Sequence, residues 1–468
     1  MNKLLPFILL PMMAGAVQGQ ETTLSLNHPP NKTTEDTPGE VLGLNEAIEA
    51  ALEHNHQLQI REIESEKAEN LATRGNAGLL PSVSLTSGFN WSYYDQELVP
   101  GDFFENLRSP EPNGQQERGF TYDGVSAMDF NAGIELQYIL FDGFRGRHRY
   151  QLLQTGSDIA DLSYLNELQE TMVEVTRKYS EASSLQESIR LQEIALEQSL
   201  DRYEIISARQ EYGEANEQQV LQAEADLKSD SVAYRDLTHQ FKNAYRDLHQ
   251  SIGWDEVDMI PLQSSPEPSS VPDYETLKAS LQERNTAINI REKRIKRAES
   301  ELEIAKSSSR PTLKSSAQYG YSYHSATEGQ FETQEQLGFT GGLTLSIPLY
   351  TGGQNRTTRE NARASVRQEQ LYYEESRKEI ETIFDNSWEY YRHLKDQLSI
   401  EKANKEVYER NFIRAEDFFE RGLISGLEFR EAQLSLLSAR QRITETEMQL
   451  KVAETNLLYL SGQLMGVQ

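Results

Sequence analysis

The chain is written twice, and that duplication limits its fold more than any other feature. Ile60-Arg61-Glu62 returns as Ile290-Arg291-Glu292, Asn55 as Asn285 and Pro81 as Pro311, all 230 residues further on. Later the spacing becomes 209: Leu140-Phe141-Asp142-Gly143 matches Leu349-Tyr350-Thr351-Gly352, Gly213 matches Gly422, Ala223 matches Ala432, and Gly253 matches Gly462. Residues 141–253 thus align with 350–462 without a gap. The 21-residue difference between the two spacings falls between Tyr93 and Phe130, where an extra-long loop is expected.

Each copy carries two segments of strand alternation. Val83, Leu85, Phe89, Trp91 and Tyr93 alternate with Ser82, Ser84, Thr86, Gly88, Asn90 and Ser92, and Phe130, Ile134, Leu136 and Tyr138 alternate with Asn131, Gly133, Glu135 and Gln137. The second copy repeats this through Leu313, Tyr319, Tyr321 and Tyr323, and again from Phe339 to Leu349. Strands are expected over about 81–94, 129–141, 311–323 and 337–350, matching the roughly 9–11 residues that cross a bilayer when tilted. The apolar face is expected to meet lipid, with Trp91, Tyr93, Tyr321 and Tyr323 in an interfacial aromatic girdle, while the small polar face lines water. The competing expectation is a soluble antiparallel sheet packed on helices.

The remainder of each copy reads as helix. Pro81 and Pro311 end the helices before them, and Asp142 and Thr351 stand where they can cap the helices that follow. Leu162, Leu165, Leu168, Met172, Val175, Tyr179, Ala182, Leu185 and Ile189 keep coiled-coil spacing over several turns. A helix from Asp142 to Glu211 would be roughly 105 Å long, and helices over 44–79 and 215–250 roughly 54 Å each. Two short helices stacked end to end would then match one long one, giving two columns per copy. Four strands cannot close a barrel, and an open edge in lipid leaves backbone groups unpaired, so the chain is expected to oligomerise, with a trimer leaving a lumen.

Residues 1–19 read as a secretory signal peptide, with Lys3, an apolar run from Leu4 to Met13 and small residues behind it; residues 20–41 read as a flexible linker. The first repeat is expected over 42–253, an inter-repeat linker over 254–273 and the second repeat over 274–468. A net charge of -28 disfavours nucleic acid as a partner, and the absence of cysteine excludes disulfide and thiolate chemistry. No Walker loop, Gly-x-Ser-x-Gly elbow or His-Glu-x-x-His occurs, so neither an enzyme nor a cofactor is expected. His54 and His56 are two apart, poor helical spacing for shared metal ligation. The basic runs Arg145, Arg147, His148, Arg149 and Lys293, Arg294, Lys296, Arg297 read as solvated helix surface, the first lying close enough to the strands to touch lipid head groups.

This order of elements resembles the TolC-like outer-membrane efflux protein family over about residues 42–464. The residues that carry the resemblance are Leu44-Asn45-Glu46-Ala47-Ile48 with Asn55, Leu79-Leu80-Pro81, Leu140-Phe141-Asp142-Gly143, Ile347-Pro348-Leu349-Tyr350-Thr351-Gly352-Gly353, and Gly422 through Ala432. It implies a mainly α protomer with a membrane β-barrel: a homotrimer with a 12-stranded barrel in the outer membrane of a Gram-negative bacterium, on a coiled-coil tunnel that extends into the periplasm. It further implies an exit duct for tripartite efflux or type I secretion, with a periplasmic adaptor protein and an inner-membrane pump, proton-driven or ATP-driven, as partners. A secreted periplasmic coiled-coil scaffold without channel activity is the alternative.

On that resemblance the helical tips at Gly213, Ala215 and Ala223, and at Gly422, Ile424, Ser425 and Ala432, are expected to dock the adaptor. Glu428 and Glu431, one turn apart, are expected to form threefold carboxylate rings that gate the tip and select cations. The first tip departs from the family pattern, with Gln219 at the acidic position and Glu214 where an apolar residue is usual.

Overall fold

A computed structural model describes residues 41–98, 120–254, 259–263, 271–327 and 332–466. The expected signal peptide, nearly all of the N-terminal linker and the centre of the long first loop lie outside those residues. The elements run α1 (Leu44–His54), α2 (His56–Leu71), β1 (Ser82–Leu98), β2 (Phe120–Phe141), α3 (Arg145–Glu211), α4 (Glu217–Ile252), α5 (Tyr274–Arg284), α6 (Thr286–Ser307), β3 (Thr312–Ala326), β4 (Thr333–Ser346), α7 (Gln354–Glu420) and α8 (Gly426–Leu460).

The four strands form one antiparallel sheet in chain order. Register places Leu85, Ile134, Tyr319 and Phe339 in one cross-strand row, and Phe89, Phe130 and Tyr323 in another, all on one face. Ser84, Glu135, Gln318 and Thr340 share a row on the other face, as do Thr86, Gly133, Gly320 and Gly338. Directly paired residues point the same way, so the alternation of four separate segments becomes one largely apolar surface, broken on β4 by Glu335 opposite Tyr323, and one polar surface. The apolar surface is exposed: Leu85, Phe89, Ile134, Tyr319 and Phe339 are all open, and no helix shields them. A soluble sheet packed on helices would have buried these side chains.

The strands differ from expectation at their ends. β2 begins at Phe120 rather than near 129, and β1 continues to Leu98, so much of the inserted length extends the first hairpin instead of forming loop. β4 stops at Ser346, short of the expected 350, because Pro348 has no N–H to offer a ladder.

α3 and α7 are each 67 residues, about 100 Å long. In the lower half α3 packs on α4 and α8, and α8 on α7; in the upper half α3 packs on α2 and α6, and α6 on α7. Asp142 accepts a hydrogen bond from the Gly146 N–H at 2.6 Å, although the N-cap itself is Phe144 in left-handed geometry. Thr351 does not cap by its side chain: the N-cap of α7 is Gly353, φ 85°.

The expected single helix over 44–79 is instead broken at Asn55 and ends at Leu71, so the first short column is shorter than the long one. Asn55 has extended backbone, and its side-chain oxygen accepts from the N–H groups of Gln57 and Leu58 at 2.9 and 3.2 Å. Its amide nitrogen donates to the carbonyl of Ser251, the last turn of α4, at 2.9 Å. Asn285 repeats the device, accepting from Ile288 N–H and donating to the carbonyl of Leu460 at 2.9 Å. One side chain thus caps a starting helix and ties down an ending one, which is how two short helices splice into a column. Gly253 and Gly462 complete the splices at φ 83° and 67°, where a Cβ would lie 2.5 Å from the His54 carbonyl oxygen and 2.6 Å from that of Arg284. Asn285→Ala is expected to cost about 1–2 kcal/mol and Gly462→Ala more, read as lower thermal stability and faster proteolysis near residue 460.

The larger core lies at mid-height, where Val175, Tyr179 and Ala182 of α3 meet Ala47, Ala51, Leu248, Ile252, Leu281, Phe384 and Leu457. Leu42 and Leu262 form a parallel bridge there. The Tyr179 hydroxyl lies 2.7 and 3.1 Å from the carbonyl oxygens of Leu42 and Gln263, and burial pushes it up to about 12. Part of the inter-repeat segment is thereby fastened to the middle of the long helix.

Candidate functional site

The end of the long helices opposite the strands is built from two reversals. At the first, Gly213 takes φ 80° and Glu214 N–H donates to the Arg209 carbonyl at 2.8 Å; at the second, Gly422 takes φ 71° and Leu423 N–H donates to the Phe418 carbonyl at 2.8 Å. Only glycine takes this left-handed conformation without steric cost. Each following helix then opens with a capping box. Ser425 Oγ accepts from Glu428 N–H at 3.3 Å, and the Glu428 carboxylate accepts from Ser425 N–H and Oγ at 2.8 Å each. These bonds, the backbone one foremost, hold Glu428 below the usual carboxylate range. In the first tip Asn216 and Gln219 exchange the same bonds at 2.9 and 3.0 Å.

Gln219 and Glu428 are therefore equivalent third residues of two caps, a position that takes either side chain, and the departure of the first tip is conservative there. The pairs Asn-x-x-Gln and Ser-x-x-Glu carried this signal in the sequence. Glu431, by contrast, is exposed one turn on.

Of the remaining tip residues, Tyr212 is 83% exposed and Leu423 66%, whereas Ala215 and Ile424 are half-buried. Ala223 and Ala432 are 2% and 4% exposed. They belong to a second core with Ile206, Phe412, Ala415, Phe419, Phe429 and Leu436, where their small size lets the helices approach closely. Phe419 and Phe429 stack at 4.9 Å, and Arg209 lies 5.0 Å above Phe419 while donating to its carbonyl at 2.7 Å, closing the C-terminus of α7 from the first repeat.

Above this core lies a buried polar cluster that sequence reading missed. Arg430 of α8 donates to Asp230 of α4 through both terminal nitrogens, at 2.7 and 2.6 Å, with side chains 9% and 6% exposed. Ser199 of α3 donates to the same carboxylate and accepts from Arg430 at 3.1 Å. Gln433 accepts from Arg430 at 3.2 Å and donates to the Ala195 carbonyl at 3.0 Å. Beside them Arg202 is buried against Asp226 at 2.8 Å; burial lowers its affinity for the proton and the Asp226 charge partly restores it. Asp230 and Arg430 are too far apart in sequence for any local pattern to signal the pair.

On the sheet, Trp91 registers with Met128, Tyr93 with Ser126, Tyr323 with Phe130 and Tyr321 with Ala132, all on the apolar face. Trp91 donates from its indole to Ser126 at 2.9 Å. At the strand-to-helix junction Arg145 donates to Ser307, so this member of the basic run joins the two repeats. Lys293 pairs with Asp158 of α3 at 2.6 Å rather than standing free. Among the described residues no three His, Cys, Asp or Glu side chains are gathered to hold a metal, and no helix is long and apolar enough to cross a membrane.

An exposed lipid-facing sheet joined to 100 Å helices that end in two capped reversals defines the protomer of an outer-membrane channel with a periplasmic extension. The chain belongs to the outer membrane efflux protein family, whose model matches residues 47–254 and 277–463. It is 22% identical over 447 residues to the proteases secretion protein PrtF of Dickeya chrysanthemi, covering 91% of this chain and 89% of that one. It is 23% identical over 436 residues to the alkaline protease secretion protein AprF of Pseudomonas aeruginosa, covering 90% and 85%. Among solved structures it resembles the CmeC outer membrane channel of Campylobacter jejuni, with a TM-score of 0.71 at 16% identity over 90% of this chain and 86% of that one. The open MtrE outer membrane channel of Neisseria gonorrhoeae matches with a TM-score of 0.68 at 16% identity, covering 90% and 89%.

Proposed function

We propose that this chain is the passive, trimeric exit duct of a type I protein-secretion system, receiving its substrate from an inner-membrane pump through a periplasmic adaptor. The exposed apolar face of the four-stranded sheet carries the reading: four strands leave two open edges in lipid, and three copies close them into twelve strands around a lumen. The long helices then form a tunnel beneath it. Secretion of a polypeptide is favoured over small-molecule efflux by the two secretion proteins that match along nearly the whole chain. The chain performs no chemistry in this reading; it supplies a wall, a girdle of Trp91, Tyr93, Tyr321 and Tyr323 at the membrane interface, and a gated tip.

The adaptor is placed on the exposed tip residues Tyr212 and Leu423 and on the half-buried Ala215 and Ile424 beside them. Photo-crosslinking in cells from Leu423 tests this, because Ser425 is committed to its capping box. Capture of an adaptor with an ATP-driven transporter is expected. A proton-driven pump in its place would move the reading to small-molecule efflux, and recovery of the protein in the soluble periplasm would leave only the scaffold.

Threefold symmetry places three copies of Glu431 around the tip, where they attract cations. Glu428 contributes less, because its carboxylate is turned back onto its own cap. Glu431→Ala is therefore expected to lower cation selectivity and block by divalent cations in planar bilayers by more than Glu428→Ala does. Equal effects would return Glu428 to the pore.

A further inference from the structure

All four strands meet their helices at one end of the sheet, because the strands are antiparallel and lie in chain order. Over the ten residues that adjoin each strand at that end, 72–81, 142–151, 302–311 and 347–356, Lys and Arg number seven and Asp and Glu two. The whole chain has the opposite balance, 46 against 74. Both acids are already engaged: Asp142 accepts from the Gly146 N–H, and Glu303 holds Lys306 at 2.6 Å. Among the described residues Arg74, Arg145, Arg147, Arg149 and Arg310 pair with no carboxylate. The first turn of α3 carries arginine and no acid, the reverse of what the dipole at a helix start favours. In so acidic a chain, a collar of unpaired cations is left for an anion from outside it.

Phe144 and Arg310 show on which side of the wall that anion lies. Phe144 is the one non-glycine residue with positive φ among the described residues, at 69°, and its counterpart in the second repeat is Gly353 at 85°. A left-handed backbone is costly for so bulky a side chain, so the turn itself does not account for a phenylalanine. The placement of the ring does. It meets Phe141 edge-on at 5.4 Å, and Phe141 registers with Leu313 and Leu313 with Leu345 on the apolar face of the sheet. The Arg310 guanidinium lies 5.8 Å from the centre of the Phe144 ring. Its Nη1 donates to the Gly143 carbonyl at 2.8 Å, which leaves Nε and Nη2 without an acceptor among the described residues. Arg145 and Arg149 stand one turn apart on α3, and Arg145 reaches Ser307, three residues before Arg310. The apolar surface also continues past the strand ends through the exposed Leu80, Leu349 and Tyr350.

We propose that this collar binds the phosphates of anionic phospholipids in the membrane leaflet that faces the helices, with the Phe144 ring against the acyl chains and Arg310, Arg145 and Arg149 on the headgroup. The order along the surface is that of a lipid molecule: apolar strand face, aromatic ring, then cations. Guanidinium donors match phosphate oxygens in geometry as well as charge, and the site is continuous with the lipid-facing sheet. A lipid held there fixes the height at which the barrel sits in the membrane. The inference rests on the lipid-facing sheet and is independent of what the duct carries.

Full-length protein is purified in neutral detergent and given equal amounts of phosphatidylglycerol and phosphatidylcholine with matched acyl chains, and the lipids that stay bound are counted by native mass spectrometry. Preferential retention of phosphatidylglycerol is expected, weaker at higher salt and reduced several-fold in Arg149→Gln combined with Arg310→Gln. Arg310 also braces its turn, so Phe144→Gly is the second variant: retention is expected to fall while thermal stability is kept or raised, because glycine takes this backbone freely. Equal retention of the two lipids, or retention unchanged in these variants, overturns the proposal and leaves the lipid-facing sheet standing. Retention of neither lipid overturns both. Co-sedimentation with isolated peptidoglycan that the same variants abolish, without any lipid preference, assigns the collar to the cell wall and overturns the lipid site.

Discussion

Asp230→Ala is expected to be among the most damaging single substitutions in the helical domain, lowering stability by about 3–5 kcal/mol. The aspartate is the acceptor for both terminal nitrogens of Arg430 and for Ser199, and its removal strands a guanidinium that is only 9% exposed. The large effect comes from the orphaned charge rather than from the lost attraction, and that distinction is testable. Asp230→Ala combined with Arg430→Met removes both charges and preserves much of the volume, so most of the loss is expected to be recovered. Thermal unfolding of detergent-solubilised protein at a fixed scan rate is the measurement, since a membrane protein that unfolds irreversibly is compared by rate rather than by equilibrium. Equal destabilisation by the single and double variants would assign the cluster to packing alone.

The second large effect belongs to the sheet. Leu85→Arg places a guanidinium on the exposed apolar face, in the row of Ile134, Tyr319 and Phe339 and away from the girdle, and is expected to cost about 2–4 kcal/mol per copy. Protein in the outer-membrane fraction should fall sharply. Ser84→Arg, one residue along, points to the polar face beside Glu135 and is expected to assemble normally. Because strand period is two, this adjacent pair isolates facing from position. Equal tolerance of both would mean that the apolar face does not meet lipid.

Much of the architecture was legible before any coordinates. Alternation located the segments that became the four strands, and the gapless match of 141–253 with 350–462 is why α3 and α7 have identical length. Gly213 and Gly422 marked the reversals, since positive φ narrows the choice of residue. Errors gathered where a local rule met a long-range partner. The break at Asn55 looked like uninterrupted helix because asparagine is only mildly unfavourable inside one; the carbonyl of Ser251 makes it a splice. Ala223 and Ala432 stand out by their repetition, which does not reveal that both are buried in the second core. The pairs Asn216-x-x-Gln219 and Ser425-x-x-Glu428 were available as local signals of the capping boxes, beside the charge pattern that singles out Glu428 and Glu431.

The sequence by itself therefore determined the parts with short periods: the strand faces, the equal length of the two long helices, the turns and the twofold plan, each set by neighbours within a few residues or by direct comparison of two segments. Only the tertiary structure decided which faces of those parts meet. Arg430, Asp230 and Ser199 come from three helices of two repeats, and whether such charges are solvated or buried depends on how whole helices pack. A buried ion pair is defined by the exclusion of water from both partners at once, and no window of the chain contains that condition.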